Sequence, residues 1–314
     1  MEAQANWGEV ALVTEGLRFP EGPVALPDGR VLLVEIARGT ITEVGLDGTQ
    51  RIVATPGGGP NGAALGPDGA LYICNNGGFE WHERDGRLYP GDQPVNYSGG
   101  RIERLDLTTG ALTVLYDACD GRPLCGPNDL VFDRSGGFWF TDHGKNRPQD
   151  RDRTGVFYAQ ADGSQIKQVL FPLEGPNGIG LSPAEDALYV AETLTGRVWE
   201  WRLAGPGTVA AGRRDRPDGG RLLPAPPGYL LYDSLAVDSL GRVCVATLIQ
   251  GGITVIDPVA NTAELRRFDD ILTTNICFGG PNLRTAFLTL SSTGRLISVP
   301  WDAPGLTLNF SGAA

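Results

Sequence analysis

Six positions in this chain carry an oxygen-bearing side chain at the same point of a repeated segment: Glu21, Asn61, Asn128, Asn177, Asp233 and Asn275. Each lies seven residues before the same point of the tight turn that follows it. For any one of them, the ordinary reading is an Asn or Asp that caps its own backbone turn. Six in register weaken that reading, because Glu21 suits an Asx turn poorly and the set mixes Glu, Asp and Asn. What these residues share is a hard oxygen. Two carboxylates and several amide carbonyls converging on one point form a cage for a divalent cation, Ca²⁺ first, with Mg²⁺, Mn²⁺, Fe²⁺ or Zn²⁺ as the other candidates. Glu21 and Asp233 also supply two negative charges to balance such an ion, and would repel each other without it.

Convergence requires elements that bring six distant positions to one axis, and the repeat supplies them. Its copies read FPEGPVALPDGRVLLVE from Phe19, GPNGAALGPDGALYICN from Gly59, GPNDLVFDRSGGFWFTD from Gly126 and GPNGIGLSPAEDALYVAE from Gly175. Two weaker copies are LYDSLAVDSLGRVCVAT from Leu231 and TTNICFGGPNLRTAFLT from Thr273. Each is a short strand, a turn and a second apolar strand, followed by a third strand-like segment such as GRIERLDL or GRVWEWRLAG. A spacing of about 51 residues falls in the range of propeller blades. Alternation within the units is strand-like, and no stretch sustains a helical period. The expectation is therefore all-β: one six-bladed β-propeller spanning residues 1–314, with the first strand of each blade lining a central channel. Residues 8–14 precede the first unit and are expected to pair with the last blade, closing the ring.

In that arrangement the second strand returns to the face where the first began. Its end carries Glu35, Asn75, Asp142 with His143, Glu192, Thr247 and Ser291. These are expected to surround the ion or to back it from outside; a solvated rim is the blander reading of each. Three segments depart from the repeat, residues 77–99, 145–154 and 205–229, and are expected on a propeller face. The first holds Trp81, His82, Tyr89 and Tyr97, more aromatics than a passive loop needs.

Composition agrees with this reading and excludes others. Gly (45) and Pro (23) make about a fifth of the chain turn-forming, as many short strands require. A net charge of −11 argues against nucleic acid or an anionic membrane as a partner, since both need a basic surface. Residues 1–10 lack the basic start and apolar core of a signal peptide, and no apolar run approaches membrane-spanning length. Five scattered cysteines fit a reduced, cytoplasmic setting, although Cys119 and Cys125 are close enough in sequence to pair. With only His82 and His143 present, a zinc site built mainly of imidazoles is disfavoured, and CxxC, HExxH, Walker A and GxSxG motifs are absent.

FPEGP at Phe19, GPNDLVFD at Gly126, GPNGIGLSP at Gly175 and YDSLAVD at Tyr232 together resemble the senescence marker protein/gluconolactonase/luciferin-regenerating enzyme family. The similarity runs from about residue 19 to 301; four such motifs in order are far more specific than any one. The resemblance implies a six-bladed propeller with a cation held by Glu21, Asn177 and Asp233, and by Asn128 where that residue does not face the substrate instead. One departure is Ser234, where Gly commonly follows the aspartate; a required unusual backbone angle there would disturb Asp233. The loop NNGGFEWHERDGRLYPGDQPVNYSGG is unlike that of the sugar lactonases.

The reading that follows is hydrolysis of a small ester, foremost a sugar-acid lactone, with the cation polarising the carbonyl. Asp233 is the first candidate for general base, by resemblance and as one of two ring carboxylates, and His143 is its competitor. Asn128 and Asn61 would orient the small-molecule substrate. Trp81, His82 and Tyr97 would either roof the pocket or pack their loop on the propeller face. Two rivals stand beside it: an organophosphate hydrolase of the diisopropylfluorophosphatase type using the same residues, and a calcium-binding scaffold without catalysis. Which metal is used, and the oligomeric state, are left open by the sequence.

Overall fold

The computed structural model describes residues 8–312, so most of the 1–10 segment read for a leader lies outside the described residues. Six antiparallel sheets radiate from one axis. From the axis outward, blade 1 is Pro20–Ala25, Val31–Glu35, Thr40–Val44 and Gln50–Ala54; blade 2 is Pro60–Leu65, Leu71–Asn75, Arg101–Leu105 and Leu112–Tyr116. Blade 3 is Pro127–Phe132, Gly137–Asp142, Thr154–Gln160 and Ile166–Leu173. Blade 4 begins Pro176–Leu181, Ala187–Glu192 and Arg197–Gly205, and blade 5 is Leu231–Val237, Val243–Leu248, Gly252–Asp257 and Thr262–Arg267. Blade 6 runs Thr273–Gly279, Thr285–Leu290 and Arg295–Pro300, and its outer strand is Ala11–Thr14 from the other end of the chain, with Ala11 opposite Ser298 and Leu12 opposite Ile297. The expected closure is therefore present, and it removes a free sheet edge. Each innermost strand packs beside the next, and the sixth beside the first.

The second strands explain why the ring holds. Buried on both faces, they read as continuous apolar runs, and their alternation sends successive side chains to opposite neighbours. In blade 3, Phe138 and Phe140 pack with Tyr72 and Cys74 of blade 2, whereas Trp139 packs with Ile179 and Val190 of blade 4. In blade 1, Leu32 and Val34 face blade 2, and Val31 and Leu33 face blade 6. One such cluster lies between every pair of neighbouring blades. Each fully buried aliphatic or aromatic side chain contributes about 1.5–3 kcal/mol, and no single blade has a partner for both faces. The turn between first and second strands is tight: Gly29, Gly69, Gly136 and Gly241 adopt positive φ there, which a side chain would resist.

Of the three departures from the repeat, two lie on the upper face, where the innermost strands begin. The third, residues 205–229, instead runs along the outer edge of blade 4. Thr208–Val209 and Arg221–Leu222 pair with Arg197–Gly205 in place of a continuous fourth strand. Its prolines lack the N–H that such a strand would have to donate. At the lower end the chain returns across the channel: Leu306 N donates to Val237 O (3.0 Å), and Asn309 Nδ2 to Phe132 O (3.1 Å). This segment closes a mostly apolar cavity of about 270 Å³ that lies beneath the polar ring rather than above it. All five cysteines are free, so Cys119 and Cys125 are not joined.

Candidate functional site

Every innermost strand slips its register with its neighbour at the polar position: between Glu21 and Val24, Pro60 and Ala63, Pro127 and Leu130, Pro176 and Ile179, Tyr232 and Leu235, and Thr273 and Asn275. A bulge bends a strand and re-aims its side chain. Six at one level gather six oxygen-bearing residues around the channel. Glycines let the strands come close: a Cβ on Gly22, Gly62 or Gly178 would lie 2.4, 2.5 or 2.6 Å from Asn61 O, Asn128 O or Leu235 N of the neighbouring strand. The channel is thereby narrowed at the level of the ring. Phe19 just before it sits at φ 58, a conformation that costs a non-glycine residue about 1 kcal/mol and that clusters at functional sites.

Glu21, Asn61, Asn128, Asn177 and Asn275 are buried, and Asp233 retains some exposure. The six are not equivalent. Asn275 Nδ2 donates to Glu21 Oε2 (2.7 Å), and Asn275 Oδ1 accepts from Ile276 N (2.7 Å), so this amide orients Glu21 and has its own oxygen engaged. Gly22 N donates to the same Glu21 oxygen (2.9 Å). Asn177 Nδ2 donates to Thr193 Oγ1 (3.1 Å), which fixes the amide, and Ser234 Oγ donates to Asn177 Oδ1 (3.4 Å). Ser234 is not among the residues with positive φ, so the departure from glycine leaves the backbone at Asp233 ordinary.

Charge is unbalanced here. Burial pushes Glu21 above the ordinary carboxylate range, against hydrogen bonds from Asn275 and Gly22. Burial, then the charge of Glu21, pushes Asp233 well above it. Asp129, which sequence reading passed over although it stands in the Asn-Asp pair, is pushed up to about 8 by burial and Glu21; it lines the cavity below. Asn128 Oδ1 is buried without a hydrogen-bond partner. An unpartnered amide oxygen beside two carboxylates that resist ionisation is a donor set short of a positive charge, and a divalent cation fits it. Among the described residues no three His, Cys, Asp or Glu side chains cluster, which matches a site built half of amides.

The second ring behaves differently from expectation. Asp142 accepts from Cys125 N, Gly126 N and Gly144 N (2.7, 2.7 and 2.9 Å), Asn75 Oδ1 from Gly59 N (2.9 Å), Glu35 from Arg18 N (2.7 Å) and Glu192 from Glu174 N (2.9 Å). In blades 1 to 4 this residue thus latches the segment just before the innermost strand of its own blade. Ser291 Oγ donates to Pro20 O, and Thr247 bonds Thr254, so all six side chains are engaged by the protein. They fix where the innermost strands begin, and reach the ring only through them.

His143 lies against Gly175, between blades 3 and 4. Burial, with Arg151 and Lys145 nearby, lowers it to about 3, and its Nδ1 has no partner. Tyr97 is a structural pin: its hydroxyl donates to Cys125 O and accepts from Gly100 N (2.9 Å). Trp81 packs on Phe19 with ring centroids 5.0 Å apart and on Phe79 at 6.0 Å, and His82 is exposed. Tyr97 and Trp81 thus both fasten their loop to the propeller face. Lys145, not singled out from sequence, is buried on the upper face. Its Nζ donates to Asn76 Oδ1 (3.0 Å) and Gly78 O (2.6 Å) and lies 3.8 Å from the centre of the Phe79 ring. Burial lowers its pKa to about 7.

Residues 19–292 match the family described as SMP-30/Gluconolactonase/LRE-like region. The chain belongs to this family. Among curated members, lactonase drp35 of Staphylococcus haemolyticus is 29% identical over 77% of this chain and 67% of its own length. The gluconolactonase of Zymomonas mobilis is 26% identical over 62% of this chain, which spans only 55% of that protein. Solved structures of the same fold include a gluconolactonase from Xanthomonas campestris (TM-score 0.71, 21% identity, 93% of this chain and 89% of that one). Another is a calcium-binding regucalcin from Agrobacterium tumefaciens (TM-score 0.72, 18% identity, 96% and 98%). Among the described residues no helix is long and apolar enough to cross a membrane.

Proposed function

We propose that this protein hydrolyses a small lactone, a sugar-acid lactone foremost, with a divalent cation held by Glu21, Asn128, Asn177 and Asp233. The observation that carries the reading is the donor set itself: buried Glu21 and half-buried Asp233, both carboxylates held above their normal range, and the unpartnered Asn128 Oδ1, at one level of the channel of a lactonase-family propeller. When bound, the cation would polarise the scissile carbonyl and stabilise the oxyanion; Ca²⁺ is favoured by oxygen-only donors, and the regucalcin neighbour supports it.

The protein's own groups divide the remaining work. Asp233 is the general base, the one ring carboxylate with exposed surface, taking a proton from the attacking water. Glu21, pinned by Asn275 and Gly22, is the fixed charge. Asn61 and Asn128 can donate amide hydrogens to substrate oxygens. His143, with a pKa of about 3, is neutral at physiological pH and a weak base, which supports Asp233 over it. The partner is a small molecule, and a net charge of −11 disfavours nucleic acid and anionic membranes; five free thiols support a reducing compartment such as the cytoplasm.

The test is lactone hydrolysis by pH-stat after EDTA treatment, then with Ca²⁺, Mg²⁺, Mn²⁺, Fe²⁺ or Zn²⁺ restored. Turnover is expected only with a cation, and the Glu21→Ala, Asp233→Ala double variant is expected to lose cation binding and turnover together. Full activity in that variant would refute the reading. Turnover of phosphotriesters alone would transfer it to the organophosphate class.

A further inference from the structure

Residues 77–99 do more than cover blade 2. The strands Trp81–Arg84 and Arg87–Pro90 form a hairpin that leaves blade 2 and crosses blade 1, where Trp81 rests on Phe19. Its tip reaches blade 6: Leu88 N donates to Ser292 O (2.9 Å), Arg87 Nη1 to Ser292 Oγ (3.2 Å), and the Arg87 guanidinium pairs with the buried Asp270 at 3.6 Å. Leu88 is buried in a cluster that extends to Leu272 of blade 6 and Leu248 of blade 5. All these contacts lie at the upper ends of the strands, the face on which the polar ring sits. In a six-bladed ring, blades 2 and 6 stand two steps apart. A straight bridge between equivalent points on them passes roughly halfway between those points and the axis. The hairpin is therefore an arch over the channel mouth on the side of blades 6, 1 and 2, leaving the side of blades 3 to 5 for access.

Its root is held from blade 3. Besides the Lys145 bonds to Asn76 and Gly78, Gln93 N donates to Asn146 O (2.8 Å), and Arg147 Nη1 to Gln93 Oε1 (3.2 Å). The segment 145–152 is folded on itself by Asp152, which accepts from Lys145 N (3.0 Å) and Arg147 Nη2 (2.8 Å). Two of the long departures from the repeat are thus one unit with two fastenings, Lys145 at the root and Arg87 at the tip. Lys145 is buried beneath the arch, with its ammonium bonded to Asn76 and Gly78, so it is not a group for binding substrate.

The geometry points to Lys145 and Arg87 as positioning residues that hold this arch at a fixed height above the polar ring, and so set an upper limit on the size of the lactone that reaches Glu21 and Asp233. This inference rests on the hydrolase reading. It deepens that reading by naming the selected property, a compact single-ring lactone without a bulky substituent.

The test uses the full chain loaded with whichever cation supports activity, and compares glucono-δ-lactone with lactobiono-δ-lactone, the same ring carrying an extra hexose. Wild-type protein is expected to prefer the smaller substrate by at least a hundredfold in kcat/KM. Lys145→Met, which keeps the bulk against Phe79 but removes the donors, and Arg87→Ala, which loosens only the tip, are each expected to cut that preference about tenfold. The gain should come through a lower KM for the larger substrate, with kcat for the smaller one within about twofold and the cation-induced rise in Tm unchanged. Hydrogen exchange should quicken at residues 78–92 and not in the innermost strands. Equal losses for both lactones, an unchanged preference in both variants, or unaltered exchange at 78–92 would overturn the inference. Wild-type protein that hydrolyses no lactone with any cation would instead overturn the hydrolase reading, so the two failures are told apart.

Discussion

Replacing Glu21 by Gln isolates the electrostatic argument, because little else changes. Glu21 Oε2 accepts from Asn275 Nδ2 and Gly22 N, and the amide oxygen of Gln can accept both. Shape and hydrogen bonds are kept, and one of the two charges facing the cation is lost. With Ca²⁺ at a hundred times its Kd, binding stabilises the folded wild-type protein by about 2.7 kcal/mol. At about 2.1 cal/mol/K per residue, 314 residues unfold with an entropy of roughly 0.66 kcal/mol/K, so Tm should rise by about 4 °C. A hundredfold loss of affinity in Glu21→Gln leaves roughly 0.4 kcal/mol at the same Ca²⁺ concentration, a shift below about 1 °C. The sign reverses in EDTA. Glu21 is raised in the folded state, so the stability it contributes is complete below the unfolded carboxyl pKa and is lost as pH rises through the folded value. At pH 7.5 the variant should therefore melt above wild type, and the two should converge as pH falls below the unfolded carboxyl pKa, toward pH 4. Scanning fluorimetry at both pH values, with EDTA and with Ca²⁺, reads all four quantities. A variant that retains the full Ca²⁺ shift, or that melts below wild type in EDTA at pH 7.5, would refute the reasoning.

Asp233→Asn should lower kcat by about 10²–10⁴-fold with cation supplied at saturation, measured by pH-stat, if this carboxylate is the base; a loss under tenfold would return the role to His143. His143 is depressed to about 3, so the stability it contributes is present above pH 6.5 and is lost as pH falls toward 3. The wild-type unfolding free energy in urea, minus that of His143→Leu, should therefore shrink by up to a few kcal/mol between pH 7 and pH 4. Tyr97→Phe removes the donor to Cys125 O and the acceptor for Gly100 N, and should cost about 1–3 kcal/mol in urea while kcat stays within twofold.

Much of this protein was legible in the chain alone, because repetition is a statement about geometry. Turn chemistry and apolar alternation, copied six times, admit few folds, and they placed every blade and the ring closure by Ala11–Thr14. They also named the members of the ring, since any feature at one point of a radial repeat must converge on the axis. Three things needed the tertiary structure. The bulges that aim Glu21 and its counterparts are slips between paired strands, a property of two strands together. Their inequality is another: Asn61 and Asn275 occupy equivalent repeat positions, yet Asn275 is engaged by Glu21 across a blade boundary and by Ile276 N of its own strand. The third is the departures from the repeat. Residues outside a repeat carry no symmetry, so nothing in the sequence says that Lys145 fastens a hairpin rooted in blade 2, or that the hairpin's tip lands on Ser292 in blade 6. Local pattern determines what recurs; partners that occur once, far apart in the chain, are decided only when the ring has closed and brought them together.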